Sequence, residues 1–416
     1  MKRALLVLAV ALAVALPAAA AGKKRKGELR RVSGGAVSQA AARAVVRDGE
    51  AEARLIEIYK LIGQAQSRQA LAKAETLVRD HPNFQLAQLV YGDLLNAQAR
   101  PVRDFGDVPD SAAKSNPQLL AELREESQLR MRALRERPPA GAIPAQFLQL
   151  SQKNRHAIAI DTSRARLYLF ENTPQGLKLL ADYYISVGKL GTEKSVEGDL
   201  RTPLGVYFIT SNLDPKSLKD FYGSGALPIN YPNPYDARRG KTGSGIWLHG
   251  TPPNQFSRAP KATDGCVVLA NPDLERIIRT VEVRSTPVVI APSLKWVAPQ
   301  SIEPDTRRFA DVLHSWRQAK ASGDMRRLLS YYMPDFSGNG KSLADWTPVL
   351  KGEIEKARGR EILLKDVSYL RWTDNADTMV VTFGELFDGA RTGLIKRQYW
   401  VRQGPQWKIF FEGVIG

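Results

Sequence analysis

The chain has one cysteine, Cys266, in 416 residues. That scarcity excludes an intramolecular disulfide, a Cys-rich zinc module and a cysteine-ligated iron–sulfur cluster. Histidine is almost as rare: His81, His156, His249 and His314 are the full set, with no HExxH pair among them. A hydrolytic zinc site is therefore not expected, and neither is any metal or cofactor. Beyond residue 20 no apolar run approaches the ~20 residues of a membrane-spanning helix, so no stable span is expected in the mature chain. Acidic residues are outnumbered, 43 against 60 Lys and Arg, for a net charge of +17. No nucleic-acid motif accompanies that charge, and nucleic acid is not an expected partner. Charged residues at 25% and hydrophobic residues at 43% suit folded domains rather than a disordered chain. The length suggests two or three of them.

What is present begins with an export pattern. Lys2 and Arg3 precede the apolar run from Ala4 to Leu16, Pro17 breaks it, and Ala18-Ala19-Ala20 offers small residues for cleavage. Residues 1–20 read as a signal peptide, which predicts an exported, periplasmic protein. Residues 21–36 form a basic, Gly-containing arm, either solvated and flexible or a tether to an anionic surface. In an oxidising compartment an unpaired thiol is either buried and inert or kept for its reactivity.

Three regions follow. Residues 37–138 carry helical spacing, with Leu55, Ile58, Tyr59 and Ile62 on one face and a turn at His81-Pro82. They predict a tetratricopeptide-like helix pair, too few repeats for a solenoid. His81 is expected to be exposed in its turn. From His156 the pattern alternates as in strands, and residues 155–292 predict a mainly-β domain. Residues 304–416 predict an α+β domain: a helix around Phe309 and Trp316, helices over 325–332 and 343–357, then four strands.

The chemistry concentrates between Gly245 and Asn271. Trp247 and His249 share one face of a strand that ends at His249, and Cys266 opens a strand directly after Gly265. Glycine there allows close approach of a substrate carbonyl, and the N–H groups of Gly265 and Cys266 are candidate oxyanion donors. A thiol needs a base to become a nucleophile near neutral pH, and His249 is the histidine placed to serve Cys266.

His249-Gly250 followed by Thr263-Asp264-Gly265-Cys266 resembles the signature of the L,D-transpeptidases, the YkuD-like family. Ile185-Ser186-Val187-Gly188-Lys189 and Arg201-Thr202-Pro203-Leu204-Gly205 resemble the family's upstream segments. One departure is Asp264, where many members have histidine. The resemblance implies that Cys266 attacks the carbonyl at the L-centre of the third residue of a peptidoglycan stem peptide and expels D-alanine. It further implies that His249 is base and acid, oriented by the carbonyl of Gly250. Tyr231, Trp247, Thr251, Thr263 and Asp264, with Asn233 and Tyr235, are the expected substrate-binding residues. An amine acceptor would make a transpeptidase and water an L,D-carboxypeptidase; a non-catalytic wall-binding protein would not need Cys266. The terminal module resembles the nuclear-transport-factor-2-like fold, a cone-shaped sheet wrapped by helices. Its pairing with this catalytic domain resembles family members that act as carboxypeptidases. A protein partner is expected at the terminal or helical region. A papain-like protease is excluded by order, because its cysteine precedes its histidine, whereas here the cysteine follows by 17 residues.

Overall fold

The computed structural model describes residues 49–357 and 360–415; the expected signal peptide and basic arm lie outside the described residues. Among the described residues five helices come first: α1 (Glu50–Gly63), α2 (Ser67–Asp80), α3 (Gln85–Ala99), α4 (Asp110–Ser115) and α5 (Pro117–Arg135). The longest, α5, starts where its chemistry dictates. Asn116 accepts the N–H of Leu119, and Pro117 occupies the first turn, where its missing donor is no loss. The apolar stripe of α1 runs through Leu55, Ile58 and Leu61; Ile62 is 42% exposed, a correction to the expected face. The helix ends one residue later, so Ile62 turns outward at its frayed edge.

Between helices and central domain, β1 (Ile143–Pro144) and β2 (Phe147–Gln149) occupy what the sequence pattern leaves as a linker. The central domain holds β3 (His156–Asp161), β4 (Arg166–Thr173), β5 (Gly176–Tyr184), β6 (Val187–Gly188), β7 (Gly205–Phe208), β8 (Ala226–Pro228), α6 (Pro234–Arg238), β9 (Trp247–His249), β10 (Lys261–Thr263), β11 (Val267–Val268), α7 (Asn271–Thr280) and β12 (Pro287–Ala291). Five strands form one sheet in the order β5-β4-β3-β12-β7, and three form a smaller one in the order β11-β9-β8. Alternation along the strands sends Ile158, Ile160, Leu167 and Ile290 of the large sheet toward Leu227, Leu248 and Val267 of the small one.

The other face of the large sheet is buried too, which is why its strands read as nearly continuous apolar runs. Ala157, Tyr168, Phe170 and Val289 pack against Leu370, Trp372, Tyr399 and Phe410 of the last domain. That domain contains β13 (Trp296–Val297), α8 (Pro299–Ala321), α9 (Met325–Leu329), β14 (Tyr332–Gly338), β15 (Lys341–Ser342), α10 (Leu343–Ala357), β16 (Ile362–Thr373), β17 (Asp377–Phe387), β18 (Leu394–Gln403) and β19 (Gln406–Val414). Its seven-stranded sheet runs β15-β14-β19-β18-β17-β16-β2 and is closed at one edge by the strand that precedes the central domain. The helix expected over 325–332 stops at Leu329, because Tyr332 joins a strand in parallel with β19.

The helical region docks on the central domain through charge as well as packing. Glu52 is buried between Arg130 of α5 and Arg166 of β4, at 2.8 and 2.7 Å. Arg166 also pairs with Asp182 and Arg130 with Glu126, so each guanidinium has two carboxylates.

Candidate active site

Strands β9 and β11 run parallel, with Val267 opposite Leu248 and Val268 opposite His249. Ile246, Leu248, Val267 and Leu269 all belong to the core between the two sheets. By alternation the other face carries Trp247, His249 and Cys266. His249 and Cys266, the candidate base and nucleophile, thus lie at the end of β9 and immediately before β11, on one face.

His249 is almost wholly buried, and its Nδ1 donates to the carbonyl of Gly250 at 2.7 Å. With Nδ1 as the donor, Nε2 is left with its lone pair, the tautomer a general base requires. Burial depresses the imidazole to about 4, the Gly250 carbonyl opposes that shift, and the charge of Arg258 adds to it. Burial likewise raises the Cys266 thiol above its ordinary range. The backbone N–H of Trp247 and the Arg258 charge pull it down, while Asp264 pushes it up. Near neutral pH the resting pair is therefore neutral thiol and neutral imidazole. The thiol donates to the carbonyl of Gly245 at 3.4 Å.

The turn before Cys266 is built from three of the sequence segments. Gly265 has φ 126°, and a Cβ there would come within 2.7 Å of the carbonyl oxygen of Arg201, so only glycine fits. The hydroxyl of buried Thr202 donates to the carbonyl of Gly265 and accepts the N–H of Gly188, both at 2.9 Å. The Thr202-Pro203 and Gly188-Lys189 segments are thereby explained as supports of the cysteine turn.

Several expected site residues are framework instead. Thr263 is buried, donates its hydroxyl to the carbonyl of Cys266 and accepts the N–H of Gly265 at 3.1 Å. That bond occupies the Gly265 donor, a correction to its expected oxyanion role; the N–H of Cys266 is the remaining one of the two donors proposed. Thr251 is fully buried, its hydroxyl donating to the carbonyl of Phe256. Tyr231 packs in the core with its hydroxyl on the carbonyl of Thr242. Asn233 caps α6 and donates to the carbonyl of Val206. Tyr235 faces the last domain and donates to Asp374 at 2.7 Å. These polar groups are used by the protein's own backbone or domain contact and are not free for a ligand. Trp247 and Asp264 do border the site: Trp247 lies 4.9 Å from the ring of Tyr222, and exposed Asp264 pairs with Lys189 at 3.0 Å.

Sequence reasoning missed four neighbours. Tyr222 and Phe221 cover His249, with ring centroids at 5.0 and 5.8 Å. Asn271 accepts the N–H groups of Ser224 and Thr251 and donates to the carbonyl of Thr251, fixing the backbone that presents Gly250. Arg258 stacks over Phe221 at 4.4 Å. The Asn271-Pro272 pair just after the cysteine strand was the available signal for the third; the others had none.

Comparison with known families agrees with this geometry. Residues 155–290 match the L,D-transpeptidase catalytic domain, YkuD. This segment is a YkuD domain. Residues 308–413 match the Cds6 C-terminal NTF2-like domain, so the YkuD domain is followed by a second recognised module. No curated protein matches the chain. Among solved structures, Bd1075 from Bdellovibrio bacteriovorus is 26% identical with a TM-score of 0.56, over 66% of this chain and 98% of its own. Pgp2 from Campylobacter jejuni, described as a helical cell shape determining protein, is 21% identical with a TM-score of 0.52, over 70% of this chain and 98% of its own. The latter likeness shows the shared fold.

Proposed function

We propose that the chain is an exported, periplasmic cysteine acyltransferase that acts on peptidoglycan tetrapeptide stems as an L,D-transpeptidase. The observation that carries this is the orientation of His249 by Gly250 on the strand beside the one Cys266 opens. Sγ of Cys266 attacks the carbonyl carbon at the L-centre of the third stem residue as its proton passes to Nε2 of His249. The oxyanion is met by the N–H of Cys266. Collapse expels D-alanine, whose amine takes the proton back from His249, and leaves a thioester. An amine of a second stem then attacks the thioester, its proton going to His249, and the thiol is restored.

Water as the acceptor is a second reading, in which the product is a tripeptide. It is favoured by the Cds6-type module, whose pairing with this domain resembles carboxypeptidase members of the family. The likeness to a helical cell shape determining protein supports a role in setting cell shape. The test is to incubate the mature chain with purified tetrapeptide muropeptides and follow products by mass spectrometry. Crosslinked dimers support transfer, and tripeptide monomers without dimers support hydrolysis. Equal turnover by Cys266→Ala would rule out the mechanism.

A further inference from the structure

Arg258 is 9% exposed, yet among the described residues no carboxylate pairs with it, and its buried Nε has no hydrogen-bond partner. Arg130 and Arg166, more deeply buried at 2% exposed, are each held by two carboxylates, whereas Arg397, also 9% exposed and without a carboxylate, has its Nε satisfied by the hydroxyl of Thr382. A desolvated guanidinium without a counter-ion is costly, and a fold does not ordinarily leave one so. The carboxylate whose charge reaches Arg258, Asp264, is engaged by Lys189 instead.

Its location gives the orphan a meaning. The Arg258 guanidinium lies 4.4 Å from the centroid of Phe221, and the same ring leans on His249 at 5.8 Å. Its charge is felt by both Cys266 and His249. The planar fork of arginine fits a carboxylate bidentately. A peptide whose carbonyl is attacked by Cys266 carries a carboxylate immediately beyond the scissile bond: the α-carboxylate of the C-terminal residue that leaves.

We infer that Arg258 binds the α-carboxylate of the stem's departing C-terminal residue and selects donors that end one residue beyond the scissile bond. The inference rests on the acyl-transfer reading given above and adds a specificity to it. The carboxylate departs with the leaving D-alanine, so Arg258 holds the donor and not the thioester. The tripeptide product, which lacks that residue, binds more weakly than the tetrapeptide.

Arg258 is also held in place from outside its own domain. Within its own domain, its carbonyl accepts the hydroxyl of Tyr184 at 2.9 Å. Just before it the loop is tied to the helical region: Ser257 donates to Glu126 at 2.8 Å, and the N–H of Phe256 donates to the carbonyl of Asn83 at 3.1 Å. The helical region therefore fixes where the guanidinium stands relative to the nucleophile.

The test uses the full mature chain carrying Cys266→Ala and measures calorimetric binding of three synthetic tetrapeptide stems. One has a free C-terminus, one a C-terminal carboxamide, and one an amide on a carboxylate elsewhere in the stem. The C-terminal carboxamide is expected to weaken binding at least about tenfold, the worth of a charge-assisted hydrogen bond. In Arg258→Gln that penalty is expected to vanish, and Arg258→Lys to restore part of it. Equal binding of acid and C-terminal amide overturns the assignment, as does a penalty undiminished in Arg258→Gln. A penalty confined to the other amide assigns Arg258 to a different carboxylate and overturns it equally. The ligand-side comparison needs no Arg258 variant to fold. In parallel, wild-type turnover separates the two levels: release of D-alanine from the acid and of D-alaninamide from the C-terminal amide with one KM overturns the Arg258 assignment alone. Failure to release the terminal residue, as D-alanine or D-alaninamide, from any stem overturns the acyl-transfer reading and the assignment with it.

Discussion

Replacing Phe256 by alanine should uncouple the helical region from the active site. Phe256 belongs to the YkuD domain's loop but is buried in the helical core, stacked on Phe84 with centroids 4.3 Å apart and edge-on to His81 at 5.2 Å. His81 is thus an interface residue, where the sequence pattern predicts an exposed one. Truncating a buried phenylalanine costs about 3–5 kcal/mol. The bond from the Phe256 N–H to the Asn83 carbonyl and the bond from the Asn83 side-chain amide to the Pro253 carbonyl survive the change, so the low end applies, about 3 kcal/mol. That corresponds to a roughly 150-fold rise in the population with this loop detached. Arg258 lies two residues further on, so donor turnover should fall by at least about tenfold, with KM rising more than kcat changes. Limited proteolysis within residues 252–260 reports the detachment, and stem turnover reports its consequence. A double-mutant cycle with Phe84→Ala isolates the ring pair, expected to couple by about 0.5–1.5 kcal/mol. Unchanged proteolysis and unchanged turnover in Phe256→Ala would refute the idea that the helices position the site.

The lone cysteine makes alkylation a site-specific probe of the neutral resting pair. With the thiol raised and the imidazole lowered, the iodoacetamide rate should climb only as pH approaches the thiol's raised value, with no plateau between about pH 5 and 8. A plateau there that disappears in His249→Gln would show a resting thiolate–imidazolium pair instead. Glu52→Gln should loosen the helical region by about 3 kcal/mol, the lower end for a broken buried pair, because Arg130 keeps Glu126 and Arg166 keeps Asp182. Protease sensitivity across residues 64–66 should rise, and an unchanged digestion pattern would contradict the ion network's role.

The legible parts of this protein are those encoded by neighbouring residues. Alternation around Trp247–His249 and the Gly265-Cys266 step specify a strand-end base and a nucleophile, and the structure puts both on one face. The four terminal strands are legible for the same reason, since period-two patterning is local. What failed was long-range. Phe147 reads as linker because the strand it joins lies more than two hundred residues away, where its neighbour Gln149 pairs with Tyr369. Tyr231 and Thr251 resemble site lining because polar and aromatic residues near a histidine carry no mark of burial. Their hydroxyls are spent on Thr242 and Phe256. Arg258 was invisible for the opposite reason: a basic residue in a loop looks solvated until the fold encloses it.

The two flanking modules stand in different relations to the chemistry. The last domain stacks its sheet on the face of the large YkuD sheet opposite the site, linked by Tyr235–Asp374 and by Arg239–Asp374. The helical region instead reaches the loop that carries Arg258, so changes there are transmitted to the site more directly.

The most direct test of the central claim is the intact mass of the chain after brief incubation with a tetrapeptide donor. The account predicts an increase equal to the donor stem minus D-alanine, located on Cys266, discharged by added amine or water, and absent in Cys266→Ala. Turnover of the donor with no such adduct, or with the same rate in Cys266→Ala, would contradict it.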